Sequence, residues 1–146
     1  MPFDNRELLA RIIRCEAEGE GENGMRAVAT IIMNRVNTAD GEYQRVGQGN
    51  IRTIMLQPNQ FHCTSEILKG VPTTRNIYTT PPEPIHYEIA DWVLGGGKFF
   101  GITNSLWYLN PQYQCANNFP VNKSGKYFTS VNQHCFYSPT LKYKTT

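Results

Sequence analysis

Four glutamates stand at alternate positions in the stretch Cys15–Gly24, which reads CEAEGEGENG. Like charges at this spacing repel one another, so the arrangement raises the question of whether the four carboxyls share one environment. A carboxyl that is partly removed from water has a raised pKa, and it can then act as a general acid near neutral pH. A glutamate that is partly buried would therefore be the candidate acid among the four.

The helix that leads into this stretch singles out one of the four. Asp4 and Glu7 form a capping box, which predicts a helix from about Asn5 toward Glu18. The apolar stripe of this helix has the spacing i, i+3, i+4 and consists of Leu9, Ile12 and Ile13. The next position on the stripe, i+7, is Glu16, which we expect to be a partly desolvated acid. The competing interpretation is that Glu16 forms an ion pair with a cation such as Arg35.

The other three glutamates are expected to lie in ordinary surroundings. Gly19 and Gly21 should end the helix before Glu20 and Glu22 acquire a helical direction. Glu18 and Glu22 are then solvated surface charges, and Glu20 caps the next helix or holds a loop.

The elements that position these residues are helical in the first two thirds of the chain. A second helix should begin near Asn23 or Gly24, and the segment 38–50 is expected to be irregular because it has glycines and no periodicity. Asn50 can cap a short third helix. A fourth helix is predicted to start at Thr80 as its cap and to end at the glycines 95–97.

Two segments rich in aromatic and β-branched residues follow the helices. SLWYLNP reads as a strand, and KYFTSVNQHCFY reads as a second strand or a hairpin. Helices that precede strands indicate an α+β fold, and no linker or repeat divides residues 1–146 into more than one domain.

Composition excludes several classes of protein. The formal charge of +2 arises from scattered Lys and Arg, without the basic runs of nucleic-acid modules. No apolar run is long enough for a membrane span, and the start of the chain lacks the pattern of a cleavable signal peptide. Four cysteines without a C-x-x-C pair predict no metal site and no cofactor. They are expected to be free thiols, with Cys115 and Cys135 as the one candidate bridge.

Five pieces of the chain together resemble a known family. They are LLARIIRCEAEGE around Glu16, NRV at 34–36, QP at 57–58 with Phe61 beyond, WYLNP at 107–111 and HCF at 134–136. In this order they are similar to the spore-cortex-lytic cell-wall hydrolases of the SleB/CwlJ type. Because the chain shows no separate wall-binding repeat, it is more similar to the short CwlJ branch than to the longer SleB branch.

The resemblance implies a lysozyme-like catalytic domain that cuts the glycan strands of peptidoglycan, with Glu16 as the catalytic acid. The candidates for substrate binding come from residue type: the rings of Phe61 and Tyr108 can pack on sugar rings, and the amides of Gln57 and Asn110 can bond hydroxyl and N-acetyl groups. Glu20 and His134 are further candidates, and core or loop roles are the alternatives. The resemblance also implies a location at the spore coat or cortex during germination. A spore-coat protein that anchors the enzyme is a further expected partner.

The number of qualified carboxyls bears on the type of reaction. Ordinary glycosidases use two carboxyls, and only Glu16 qualifies clearly here, which favours lytic transglycosylation with one glutamate as acid and then base. Hydrolysis with Glu20, or less plausibly Asp91, as second carboxylate is the first alternative. A Cys/His-dependent amidase or peptidase is the second, based on the neighbours of His62 and His134, and a non-catalytic wall-binding module is the third.

Overall fold

A computed structural model describes residues 1–65, 67–68, 70–72, 74–120 and 123–146 of the chain. The helices are α1 (Asn5–Ala17), α2 (Gly21–Asn37), α3 (Gly41–Gly47), α4 (Ile51–Leu56) and α5 (Pro84–Leu94). The strands are β1 (Ile67–Leu68), β2 (Val71–Pro72), β3 (Trp107–Leu109), β4 (Gly125–Val131) and β5 (His134–Pro139). The short pair β1 and β2 lies between α4 and α5, and the larger antiparallel sheet of β3, β4 and β5 follows all five helices, so the α+β class is confirmed.

Helix α1 begins as the capping box predicts. The Asp4 carboxylate accepts a hydrogen bond from the Glu7 backbone N–H at 2.8 Å. The apolar stripe of α1 packs against α2 and α5 and is excluded from solvent, in particular Leu8, Leu9, Ile12 and Ile13. Helix α1 is therefore fixed along its apolar side up to the turn that contains Glu16.

The turn after α1 differs from the prediction. A 3₁₀ turn at Glu18–Glu20 leads straight into α2, which begins at Gly21 rather than at Asn23 or Gly24. Gly21 can start the new direction because its φ is +74°, a value that glycine adopts without steric cost. Glu22 consequently lies in the first turn of α2, where it pairs with Arg26 at 2.8 Å.

Helix α3 occupies part of the segment that was predicted to be irregular. It is too short to show a periodic pattern, and it is stabilised by tertiary contacts instead. The Tyr43 ring is fully buried beside Trp107 and Tyr143, with ring centroids 6.3 and 6.2 Å away. The Tyr43 backbone N–H donates to the Tyr143 hydroxyl at 3.1 Å, which ties α3 to residue 143.

The predicted N-terminal cap is correct for α4 and wrong for α5. Asn50 caps α4 as predicted, because its side-chain oxygen accepts from the Thr53 N–H at 3.0 Å. The cap of α5 is Glu83 and not Thr80, whose hydroxyl donates to the Asn76 carbonyl at 2.7 Å. The Glu83 N–H donates to the His86 ring, so His86 completes the capping box.

The C-terminal sheet has the strand order β3-β5-β4, with all pairs antiparallel. The hairpin that was predicted as one of two options is the pair β4 and β5, and β3 pairs with β5 on the other side. Tyr108 lies opposite Phe136, and Leu109 lies opposite Cys135. This register brings the end of β3 beside the start of β5, where His134 stands.

All four cysteines form disulfides, which corrects the expectation of free thiols. Cys15 bonds to Cys63, and Cys115 bonds to Cys135. The Cα atoms of each pair are 6.1 and 5.8 Å apart, within the usual range for a bridge. The first pair spans 48 residues of sequence, so only the tertiary fold brings it together.

In the part of the chain that the structure describes, no helix combines the length and the apolar character that a membrane crossing requires.

Gly125 offers a test of the close packing between the sheet and the loop before it. A Cβ atom at this position would meet the Phe119 carbonyl oxygen and would lie 2.7 Å from the Trp107 ring. We expect Gly125→Ala to lower the free energy of unfolding by about 1 to 3 kcal/mol, because neither backbone nor indole can give way cheaply. Urea denaturation of both proteins measures this difference.

Gly19→Ala is the matched control, since a Cβ there meets no atom within 4 Å. Its free energy of unfolding should stay within about 0.5 kcal/mol of the parent. Equal stability of the two variants would show that the contact at Gly125 is not tight in solution.

Candidate functional site

A cleft of about 540 Å³ lies where the end of α1 faces β3. Helices α2 and α3, the turn at 59–62, the loop at 119–120 and the first residue of β5 complete its walls. The polar and aromatic side chains that line it include Glu16, Arg35, Glu42, Tyr43, Gln60, His62, Tyr108, Asn110 and His134. Groups from the helical part and from the sheet therefore meet across one opening.

Glu16 lies at this cleft and is largely removed from water. One carboxyl oxygen, Oε1, accepts from the Tyr108 hydroxyl at 3.4 Å. The other, Oε2, is 3.3 Å from Sγ of Cys63. That sulfur belongs to a disulfide and carries no hydrogen, so it cannot donate to the carboxylate.

Burial raises the pKa of Glu16, and this effect exceeds three opposing ones. The neighbouring His62, the hydrogen bond from Tyr108 and the charge of Arg35 all favour the ionised carboxylate. The net result is a carboxyl that keeps its proton to higher pH than an exposed glutamate, as a general acid requires.

The proposed ion pair between Glu16 and Arg35 does not describe the geometry. The Arg35 guanidinium is buried, and its Nε donates to the Leu106 carbonyl at 2.8 Å. A second nitrogen is 3.4 Å from the side-chain oxygen of Gln60, and the guanidinium carbon lies 4.7 Å from the Tyr43 ring centroid. Arg35 therefore joins α2 to the sheet and acts on Glu16 only through its field.

Tyr108 and His134 form the sheet side of the cleft. Burial, and next the negative field of Glu16, raise the pKa of Tyr108 well above its ordinary value, so its hydroxyl stays protonated and donates to Glu16. The His134 ring lies beside the Tyr108 ring, with centroids 5.1 Å apart. The two rings form an aromatic wall of the cleft, and the Tyr108 hydroxyl reaches Glu16.

Glu20 lies behind His134. Its Oε1 is 3.4 Å from Nε2 of His134, and the two side chains are only 10% and 5% exposed. Burial lowers the pKa of His134 while the Glu20 charge opposes the effect, so the ring is neutral at physiological pH. A continuous row of contacts thus runs from Glu20 through His134 and Tyr108 to Glu16.

Three of the predicted substrate-binding residues do not line the cleft: Glu20, which lies behind His134, and also Phe61 and Gln57. Phe61 is 1% exposed and packs in the core beneath the Arg35 guanidinium, which lies 5.3 Å from its ring centroid. Gln57 is buried, and its side-chain nitrogen donates to Glu42 at 3.3 Å. Both were chosen for their residue types, and the fold uses them to support the cleft from behind. Asn110 lies exposed at its rim.

The remaining acidic candidates lie elsewhere. Glu18 is not a free surface charge, because it pairs with Arg14 at 2.6 Å and with Arg75 at 3.2 Å. Asp91 is exposed on α5 and forms an ion pair with Arg6 at 2.6 Å. Asp91 is absent from the cleft walls, so it cannot serve there as a second carboxylate.

Sequence reasoning missed Glu42 and Tyr43, which both line the cleft. They belong to α3, in the segment that was expected to be irregular. The Tyr43 hydroxyl donates to Gln60 at 2.8 Å and so fixes the amide at the cleft wall. The only signal in the sequence was the aromatic residue itself, since a tyrosine has a large apolar ring that can be buried when its hydroxyl finds a partner.

The cysteine-dependent alternative does not survive, because Cys63 and Cys135 are both in disulfides and offer no thiolate nucleophile. In the described ranges, from 1–65 to 123–146, no cluster of three or more His, Cys, Asp or Glu side chains could hold a metal ion.

Comparison with known proteins gives a consistent match. A family model described as Cell Wall Hydrolase matches residues 19–137, a range that begins three residues after Glu16. The protein Cell wall hydrolase CwlJ of Bacillus subtilis is 28% identical, with 93% of this chain and 86% of that protein covered. Its namesake in Oceanobacillus iheyensis is 30% identical, with 92% and 86% covered.

Two solved structures share the fold. The catalytic domain of the germination-specific lytic transglycosylase SleB from Bacillus anthracis superposes with a TM-score of 0.65 at 19% identity, over 94% of this chain and 98% of that one. The catalytic domain of SleB from Bacillus cereus gives 0.62 at 21% identity, over 91% and 88%. The lysozyme-like fold expected from the sequence is thereby confirmed.

The raised pKa of Glu16 has a consequence for stability. A carboxyl whose folded pKa lies above its unfolded one stabilises the fold at low pH, and this contribution is lost as pH rises through the folded pKa. Glu16→Gln removes the ionisation, so we expect its Tm to rise relative to the parent as the pH increases from 4 to 8. Thermal denaturation followed by circular dichroism measures it.

Glu22→Gln is the control, because Glu22 is an exposed partner of Arg26. Its Tm difference from the parent should show no comparable rise with pH. If the Glu16→Gln curve ran parallel to the parent at every pH, the carboxyl would be well solvated.

Proposed function

The chain belongs to the family of cell wall hydrolases, enzymes that degrade the cell wall, and from this premise we propose that it cuts peptidoglycan glycan strands with Glu16 as general acid. The observation that carries the proposal is the placement of Glu16. It is a largely buried carboxyl of raised pKa that lines the cleft. A binding module has no need for such a group, whose burial costs free energy once it ionises.

The reaction is lytic transglycosylation. Protonated Glu16 gives its proton to the glycosidic oxygen, the bond from that oxygen to C1 of the muramic residue breaks, and positive charge develops at C1. The Glu16 carboxylate then accepts the proton of the 6-hydroxyl of the same sugar, and O6 bonds to C1. The product carries a 1,6-anhydro ring, no water is consumed, and Glu16 returns to its protonated state.

The distribution of carboxyls favours this reaction over hydrolysis. Glu42 lines the cleft but is engaged by the Gln57 amide, and Glu20 is placed behind the His134 ring. A hydrolase would need one of these to activate a water opposite Glu16. Glu20 remains the leading candidate for that alternative, since it is joined to the cleft through His134.

The other walls of the cleft suit a sugar chain. The faces of Tyr108 and His134 can pack on a sugar ring, and the amides of Gln60 and Asn110 can bond hydroxyl or N-acetyl groups. Glu20 acts through its contact with His134 and does not touch the sugar itself. Phe61 and Gln57 support these groups from beneath.

The relatives named above support action on the spore cortex. One neighbour in fold is titled a germination-specific lytic transglycosylase, and the curated relatives carry the name CwlJ. We place this enzyme at the spore coat or cortex, where a coat protein anchors it. Co-purification of the enzyme with isolated coats would support this location.

Replacement of Glu16 tests its role. We expect Glu16→Gln to lower the release of muropeptides from purified cortex by about 10²- to 10⁴-fold, the range for loss of a general acid. Binding to insoluble cortex should be retained, because the amide has nearly the same shape. Glu22→Gln, on the exposed face of α2, should retain full turnover. Comparable activity of the two variants would remove Glu16 as the acid.

The product distinguishes the two reactions. A transglycosylase leaves an anhydro end that is lighter by one water than the reducing end left by a hydrolase, and mass spectrometry of digested cortex resolves the two. We expect anhydro ends with the parent enzyme and with Glu42→Gln. Reducing ends in H₂¹⁸O that carry the heavy isotope would establish hydrolysis, and loss of turnover in Glu20→Gln would then identify the second carboxylate.

A further inference from the structure

The Cys15–Cys63 disulfide lies directly beside Glu16. Cys15 precedes Glu16 in α1, and Cys63 lies in the short 3₁₀ turn His62–Thr64 that faces the end of this helix. Sγ of Cys63 is 3.3 Å from Oε2 of Glu16. The two cysteines are 8% and 5% exposed, so the bridge is part of the packed surroundings of the acid.

We propose that this disulfide positions Glu16. It holds the carboxyl at the cleft and keeps a hydrogen-bond donor away from it. Reduction of the disulfide therefore gives a less active enzyme. The proposal rests on the role of Glu16 proposed above. The other disulfide, Cys115–Cys135, joins the loop after β3 to β5 and has no contact with Glu16 in the described contacts.

The chemistry of sulfur gives the direction of the effect. A disulfide sulfur accepts weakly and cannot donate, so at 3.3 Å it leaves Oε2 without a proton donor. A thiol at the same place donates its S–H to the carboxylate and favours the ionised form. Opening of the bridge also allows water to reach Glu16. Both changes stabilise the carboxylate and remove the proton that the reaction needs.

The charged and titratable groups that face Glu16 are otherwise unchanged. His62, Arg35 and Tyr108 already favour ionisation, and burial alone opposes them. A donor at Oε2 would add a fourth effect in the same direction, on an oxygen that the disulfide sulfur leaves without one. His62 is also adjacent to Cys63, so the bridge fixes the distance from this imidazole to the acid.

Reduction itself is an ordinary exchange with a dithiol. The thiolate of the reductant attacks one sulfur, the Cys15–Cys63 bond breaks and one cysteine leaves as a thiolate. The second thiolate of the reductant then attacks its own sulfur in the mixed disulfide, and the other cysteine leaves as a thiolate. Two electrons and two protons pass to the cysteine sulfurs, and the reductant leaves as its own disulfide. No other reactant is required.

Two double variants separate the donor effect from loss of the bridge. Cys15→Ala/Cys63→Ser lacks the disulfide but places a hydroxyl donor near Oε2, whereas Cys15→Ala/Cys63→Ala lacks both. We expect turnover at pH 8 to be about tenfold lower in the serine variant than in the alanine variant, as one hydrogen bond to a charged group would cause. Equal turnover at pH 5 and pH 8 in the two variants would overturn the donor argument.

Reduction is tested with one bridge left in the molecule. In Cys115→Ala/Cys135→Ala the remaining disulfide is Cys15–Cys63, so dithiothreitol acts on it alone. The carboxyl carbon of Glu16 in ¹³C-glutamate-labelled protein, assigned by its loss in Glu16→Gln, reports ionisation without any need for turnover. We expect its titration midpoint to move to lower pH on reduction and to return on reoxidation.

If thiol titration shows that the disulfide is reduced and the titration midpoint of Glu16 is unchanged, the proposal is overturned. A lower midpoint together with full cortex release by Glu16→Gln would instead remove Glu16 from the proposed function and leave the effect of the disulfide on its ionisation in place. The two failures are therefore distinguishable.

Discussion

The removal of one carboxyl from water is the constraint on which the rest of the site depends. Glu16 follows three apolar positions on the same side of α1, and the packing of that side against α2 and α5 brings it to the cleft, where it is only partly exposed. A carboxyl in such a place is costly once it ionises, which is why a carboxyl of raised pKa in a cleft marks a candidate functional site. The surrounding groups, Tyr108 and Arg35 among them, reduce this cost without abolishing it.

The site is assembled from two parts of the chain that contribute different properties. The helices supply the acid and the buried charge of Arg35, and the sheet supplies the aromatic wall of Tyr108 and His134. Arg35 joins the parts physically, because its Nε bonds the Leu106 carbonyl just before β3. The small sheet therefore does more than cover the helices, because the register of β3 with β5 sets which aromatic rings line the cleft with Glu16.

What could be predicted from the sequence follows the range of the interactions involved. The cap at Asp4 and the stripe that ends at Glu16 are local, and both were predicted correctly. Helix α3 and the Cys15–Cys63 bridge depend on contacts between distant segments, and both were missed. The position of Phe61 depends on similar contacts. Residue type makes its ring a candidate for sugar binding, but only packing decides whether a ring faces a groove or the core.

The hydrogen bond between the Tyr43 N–H and the Tyr143 hydroxyl joins residues one hundred positions apart. It fixes α3 against residue 143, and α3 carries Tyr43 and Glu42 into the cleft wall. Any nascent chain that has not yet reached residue 143 consequently lacks this support for one side of the groove. Formation of this side of the groove is therefore coupled to a segment one hundred residues later in the chain, because a helix as short as α3 is not stable on its own.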